Sequence, residues 1–121
     1  LALWELLAIV IAARCWADRC GEQRLELAVT SDSKAALGAA LKMKSPSPAL
    51  NDLGAELALL AAEEHCVIAV AEHIAGVDND VADALSRLTR GASMPSELDG
   101  VARARVAPFV WRAFPQRRFC V

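Results

Sequence analysis

Three acidic residues stand against apolar sequence, where a lone ionised carboxylate is costly. Glu5 lies in the apolar run that opens the chain, Asp32 ends an apolar alternating segment, and Asp83 sits between Ala82 and Ala84. Asn79 precedes Asp83 by one helical turn and shares its face. Carboxylates gathered at one edge repel one another unless a divalent cation neutralises them. Hard oxygen donors of this kind suit Mg2+, which takes few protein carboxylates and keeps waters or phosphate oxygens. Two such ions about 3.5–4 Å apart serve in-line phosphodiester cleavage, one activating water and one stabilising the leaving oxygen. Each acid also has an ordinary use. Glu5 can be a partly exposed residue near a helix end, Asp32 can cap the helix that follows it, and Asp83 can pair with Arg87.

The elements that must position these groups are legible in the apolar spacing. Residues 3–20 read as a helix, with Leu6, Leu7, Val10 and Ile11 on one face and Gly21 as a C-cap. Glu5, Ile9, Ala12 and Trp16 form another stripe, so this helix is expected to pack on more than one side. Residues 24–31 alternate Leu25, Leu27 and Val29 and read as a strand, and Lys34 to Lys42 follow as a short helix. After the breaker at 43–48, Ser47-Pro48 starts a helix that runs to about His65 on Leu50, Leu53, Leu57 and Leu60. Cys66 to Ile74 is a second strand, residues 75–78 a turn with Asp78 as N-cap, and Asn79 to Leu88 a last helix.

Alternating strands and helices imply an α/β layered domain. The strand edge at Asp32 is then the edge where α/β ligands bind. Two strands are few for such a sheet, and the chain opens on Leu1 with no initiator Met. It is therefore expected to be a piece of a longer protein that lacks its first strands, with an exposed strand edge that invites association.

The bulk properties narrow the classes. A chain of 121 residues, 55% apolar and 23% charged, suits one core and argues against disorder. A net charge of −2 argues against coating nucleic acid by bulk charge. The charge is uneven: residues 1–90 carry −5 and residues 91–121 carry +3. The latter begin with a linker-like Gly-Ala-Ser-Met-Pro-Ser and mix Arg103, Arg105, Arg112, Arg117 and Arg118 with Phe109, Trp111, Phe114 and Phe119. That tail either packs on further sequence or makes basic-aromatic contacts to nucleic acid. Cys15, Cys20, Cys66 and Cys120 show no C-x-x-C spacing and read as structural thiols, so nothing demands an oxidising compartment. The apolar opening is too short to span a bilayer and carries Glu5, so no membrane partner is expected. An intracellular location follows, with cytoplasm and nucleus undistinguished.

Three segments carry a family resemblance. Glu5-Leu6-Leu7-Ala8, Thr30-Ser31-Asp32-Ser33 and residues 73–87, which read HIAGVDNDVADALSR, resemble the ribonuclease H domain of retrotransposon reverse transcriptases, Gypsy-like or DIRS-like. The third motif is long and specific; the first two gain weight from their order. The resemblance covers residues 1–90, a partial ribonuclease H-like domain, and leaves 91–121 as linker and basic tail.

What it implies is an α/β ribonuclease H-like fold, a mixed sheet flanked by helices. The implied activity is hydrolysis of RNA in an RNA–DNA hybrid by two Mg2+ ions. Glu5, Asp32 and Asp83 match the family's metal-binding carboxylates, and a fourth, on the first strand, has no counterpart here. His73 matches its proton-handling histidine; by itself it would read as a turn histidine at a strand end. Ser33, Lys34 and Asn79 are expected to touch nucleic acid, and Lys42 and Lys44 are either phosphate contacts or a solvated face. Ala75 stands where the family has Pro, loosening the turn without removing a ligand. The implied neighbour is an upstream reverse transcriptase polymerase domain. With one carboxylate missing, this chain is expected to cleave weakly or not at all. The alternatives are a degenerate, non-catalytic nucleic-acid-binding or spacer domain, and an interaction module of packed apolar helices.

Overall fold

The computed structural model describes residues 2–103, 105 and 111. The expected tail residues Arg112, Phe109, Phe114, Arg117, Arg118, Phe119 and Cys120 lie outside the described residues. Chain order is α1 (Ala2–Cys20), β1 (Leu25–Ser31), α2 (Lys34–Lys42), α3 (Pro48–Glu64), β2 (Cys66–His73) and α4 (Asp80–Ser86), with 3-10 turns at Gly76–Asp78, Leu88–Arg90 and Ser96–Leu98. The mixed α/β order read from the sequence is the observed one.

Local chemistry sets the boundaries. Gly21 follows α1 with φ +62°, a left-handed conformation that glycine adopts at no steric cost. Ser33 caps α2, its Oγ accepting from the Ala36 amide at 3.2 Å. Pro48 opens α3, where its fixed φ suits the helix and its missing N–H leaves no donor unpaired. The last helix is shorter than the sequence spacing suggests. It begins at Asp80 with Asn79, not Asp78, as its N-cap, and it ends at Ser86.

β1 and β2 pair in parallel, so α2 and α3 together form the crossover between them. The register pairs Leu25 with Cys66 and Leu27 with Ile68, then Ala28 with Val70, leaving Ala69 as an extra residue. This β-bulge turns Val70 outward, 53% exposed, and sets Ser31 opposite His73.

One face of α1 carries Leu6, Leu7, Val10, Ala13 and Ala17 into a core shared with Ala36, Ala39 and Ala40 of α2, Leu53, Leu57 and Leu60 of α3, and Cys66 and Ile68 of β2. Gly54 lets α3 approach the α2–α3 connection closely: a Cβ there would lie 2.7 Å from the Met43 carbonyl carbon. Cys66 is buried, its thiol donating to the Ala13 carbonyl at 3.8 Å. Burial pushes that thiol above its ordinary pKa, and Cys20 and Glu64 nearby push the same way.

Trp111 also packs against this core, which ties one residue of the expected tail to the body. No helix among the described residues is long and apolar enough to cross a membrane. On the other side of α1, Trp4, Ala8, Ala12 and Trp16 are exposed.

Candidate functional site

β1 alternates inward at Leu25, Leu27 and Val29, and the same alternation carries Ser31 inward at its end. A buried hydroxyl needs partners. Ser31 Oγ donates to Glu5 Oε2 at 3.4 Å and accepts from the Ser33 amide at 3.1 Å. Glu5 thus reaches across from the first turns of α1 to the C-terminal end of β1, 26 positions away in sequence.

Asp32 follows Ser31 and is exposed. The helix cap after it is Ser33, so the capping role open to Asp32 is filled by its neighbour. The Asp32 carboxylate faces the loop after β2, where a Cβ on Gly76 would lie 3.4 Å from Oδ2. His73 Nε2 lies 3.2 Å from the Asp32 carbonyl oxygen. A carbonyl only accepts, so in this contact Nε2 carries a proton and donates it. The Ile74 amide donates to the Ser31 carbonyl at 3.0 Å and closes the end of the sheet. Glu5, Asp32 and His73 therefore share the carboxyl end of two parallel strands.

Asp83 does not join them. It pairs with Arg87 across one turn of α4, N–O 3.0 Å, with both side chains at least half exposed. That is the ordinary role the spacing offered, and α4 buries none of its residues. Asn79 starts α4 through its backbone, its carbonyl accepting from the Asp83 amide at 3.0 Å, with no side-chain cap bond.

No known protein family, curated protein or solved structure matches this chain. The chemistry of the site is therefore read from its own donors. Among the described residues, no three of His, Cys, Asp and Glu are grouped so as to hold a metal ion. Glu5 turns toward Ser31, Asp32 toward Gly76, and Asp83 toward Arg87. The set Glu5, Asp32 and Asp83 does not fit the two Mg2+ ions that the resemblance implies.

What the arrangement offers is a hydrogen-bonding strand end with two carboxylates and one imidazole. Lys34 stands exposed at the start of α2, beside Asp32. Lys42 and Lys44 form a separate group at the far end of α2, about 12 Å along its axis, where they line a shallow cleft with Ser45, Pro46 and Asn51. Ser33 Oγ is engaged as a cap and keeps its O–H to donate. Sequence reasoning missed Ser31 and Gly76. Ser31 had a signal, a polar residue at an inward position of the alternation; the approach of Gly76 to Asp32 had none.

Proposed function

We propose that this chain is part of a ribonuclease H-type domain of a retroelement reverse transcriptase that engages an RNA–DNA hybrid at the carboxyl end of its parallel strands. The observation that carries the reading is the convergence of Glu5, Asp32 and His73, from three separate elements, on that end. Open α/β sheets bind their ligands there. The resemblance of residues 73–87 to the family motif supplies the substrate class.

In this reading Lys34 and the Asn79 side chain contact the hybrid backbone, and the hybrid is read by shape and 2′-hydroxyls. His73, holding its Nε2 proton against the Asp32 carbonyl, presents Nδ1 as the ring nitrogen that can take up a proton. Glu5 and Asp32 repel phosphate when nothing neutralises them, so cleavage by this chain is weak.

A second reading, a non-catalytic nucleic-acid-binding or spacer domain, is favoured by the Asp83–Arg87 pair, which engages the third carboxylate.

The test is hybrid binding and cleavage by the chain with and without Mg2+. Binding stronger to hybrid than to duplex DNA is expected. Asp32→Asn and Glu5→Gln should tighten binding in EDTA by removing repulsion and abolish residual cleavage. Lys34→Ala should weaken binding and lower the salt slope by about one. Equal affinity for hybrid and duplex DNA would sink the substrate class. Cleavage unchanged in Asp32→Asn would sink the site. Binding with no Mg2+-dependent cleavage in any variant would favour the second reading.

A further inference from the structure

We propose that Cys20 and Cys66 form a peroxide-oxidisable thiol pair, which closes to a disulfide tying the end of α1 to the start of β2. The inference does not rest on the nuclease reading.

Cys66 is the first residue of β2 and is buried, its Sγ donating to the Ala13 carbonyl of α1 at 3.8 Å. Ala13, Ala17 and Cys20 stand at i, i+4 and i+7, so one stripe of α1 carries all three. Helical side chains lean toward the helix N-terminus. That lean directs the Cys20 thiol back along the stripe, toward the turn that Cys66 touches.

The chain path brings the two residues together a second way. In the turn after α1 the Gln23 amide donates to the Cys20 carbonyl at 3.4 Å. Two residues on, Leu25 pairs with Cys66, and its amide donates to the His65 carbonyl at 2.9 Å. Proximity also shows in the ionisation of Cys66: burial first, then the neighbouring Cys20 and Glu64, push its thiol above the ordinary value. Cys15 is excluded as a partner for either. It precedes Cys20 by five residues, about 7.5 Å of helical rise, and a disulfide tolerates a Cα separation of at most about 7 Å. It also lies about 200° round the helix from Ala13, on the side away from Cys66.

The two thiols divide the chemistry. Cys20 is partly exposed, and the residues on either side of it help line a cleft with Ala17, Glu64 and His65. Cys66 is buried and stays protonated at neutral pH. Cys20 therefore meets the oxidant and Cys66 resolves it. Asp18 and Glu22 add to the acidity of the cleft, which admits an uncharged oxidant such as hydrogen peroxide more readily than an anionic one.

The Cys20 thiolate attacks one peroxide oxygen, the O–O bond breaks, and hydroxide leaves and is protonated to water, giving a sulfenic acid on Cys20. Cys66 Sγ then attacks the Cys20 sulfur. The S–S bond forms, the S–O bond breaks, and the hydroxyl leaves with the Cys66 proton as a second water. The two thiols lose two electrons and the peroxide gains them. Cys20 ends α1, and Gly21 follows it at φ +62°, so the last helical turn can close on β2 with the core in place. The bridge closes a loop through β1, α2 and α3 and restricts the unfolded chain.

The experiment is treatment of the full, folded chain with hydrogen peroxide, alkylation of the remaining thiols, tryptic digestion without reductant, and mass spectrometry. Cleavage after Arg14, Arg19, Arg24 and Arg118 puts the four cysteines in separate peptides. A Cys20–Cys66 linked pair, reversed by dithiothreitol, is expected, with Tm raised by about 5–15 °C in the oxidised chain. Cys15→Ser should keep both effects, and Cys20→Ser should lose both. In Cys66→Ala, Cys20 should accumulate as a sulfenic acid that dimedone traps. If Cys66→Ala fails to fold, the partly exposed Cys20→Ser still decides. Cys20 or Cys66 linked instead to Cys15 or Cys120 would overturn the proposal. So would a bridge that forms only in denaturant, or over-oxidation of Cys20 with no bridge.

Discussion

The layered body, from α1 to β2, and the segment from Gly76 onward are built on different terms. In the body, local signals and packing agree. α1, α2 and α3 each carry an apolar face, and those faces meet over β2 with Leu53 and Leu60 fully buried. In the later segment, the 3-10 turns and α4 contain no buried residue. Helices as short as α4, seven residues, are marginal in water without packing. The contrast falls across the candidate site. Glu5 bonds to Ser31 and His73 to the Asp32 carbonyl, within the body, whereas Asp83 pairs within its own helix. A motif fixes residue types; the elements packed around it fix where they stand.

That comparison can be broken first in the core. Leu53→Ala should cost about 2–5 kcal/mol, because a fully buried site keeps most of the cavity. Leu85→Ala, on exposed α4, should stay within about 0.5 kcal/mol. Chemical denaturation of both reads the difference, and equal losses would mean that α4 packs as tightly as α3. Two glycines give opposite signs. Gly54→Ala forces a Cβ against the Met43 backbone and should destabilise by about 1–3 kcal/mol. Gly38→Ala, inside α2 with open space around it, should stabilise by about 0.5–1 kcal/mol.

The next effect concerns the cap. Ser33→Ala removes the bond to the Ala36 amide and should cost about 1 kcal/mol. Asp32→Ala removes no cap, so a similar loss there would reassign the role. Cys66 adds an effect confined to alkaline pH. Its thiol ionises later in the folded chain than in the unfolded one, chiefly because it is buried. Its contribution is complete below the unfolded thiol's pKa and declines as pH rises through the folded value. Stability should therefore fall more steeply above pH ~9 in the wild type than in Cys66→Ala. The smallest change is expected at the Asp83–Arg87 pair. A double-mutant cycle should give no more than about 0.5 kcal/mol, vanishing in high salt, because both groups are exposed.

Most of the fold was legible because its signals are local. Pro48, Ser33 and Gly21 mark helix ends through their own backbone chemistry, and the leucines of α3 mark its buried face by spacing alone. The last helix was less legible. None of its residues is buried, so little packing holds the turns beyond Ser86 in α-helical form. Of the candidate site, Glu5, Asp32 and His73 could be named from their types and positions, but their grouping could not.

The sequence by itself determined the order of helices and strands, the apolar faces, and the residues able to do acid–base chemistry, because these follow from each residue and its near neighbours. Tertiary structure decided which of those residues meet. Unbroken pairing from Cys66 would have set Glu72 opposite Ser31; the bulge at Ala69 sets His73 there instead. Strand register is a property of two chain segments, fixed by how both pack on the helices, and neither segment carries it alone. The same reason brings Glu5 to Ser31 and leaves Asp83 with Arg87.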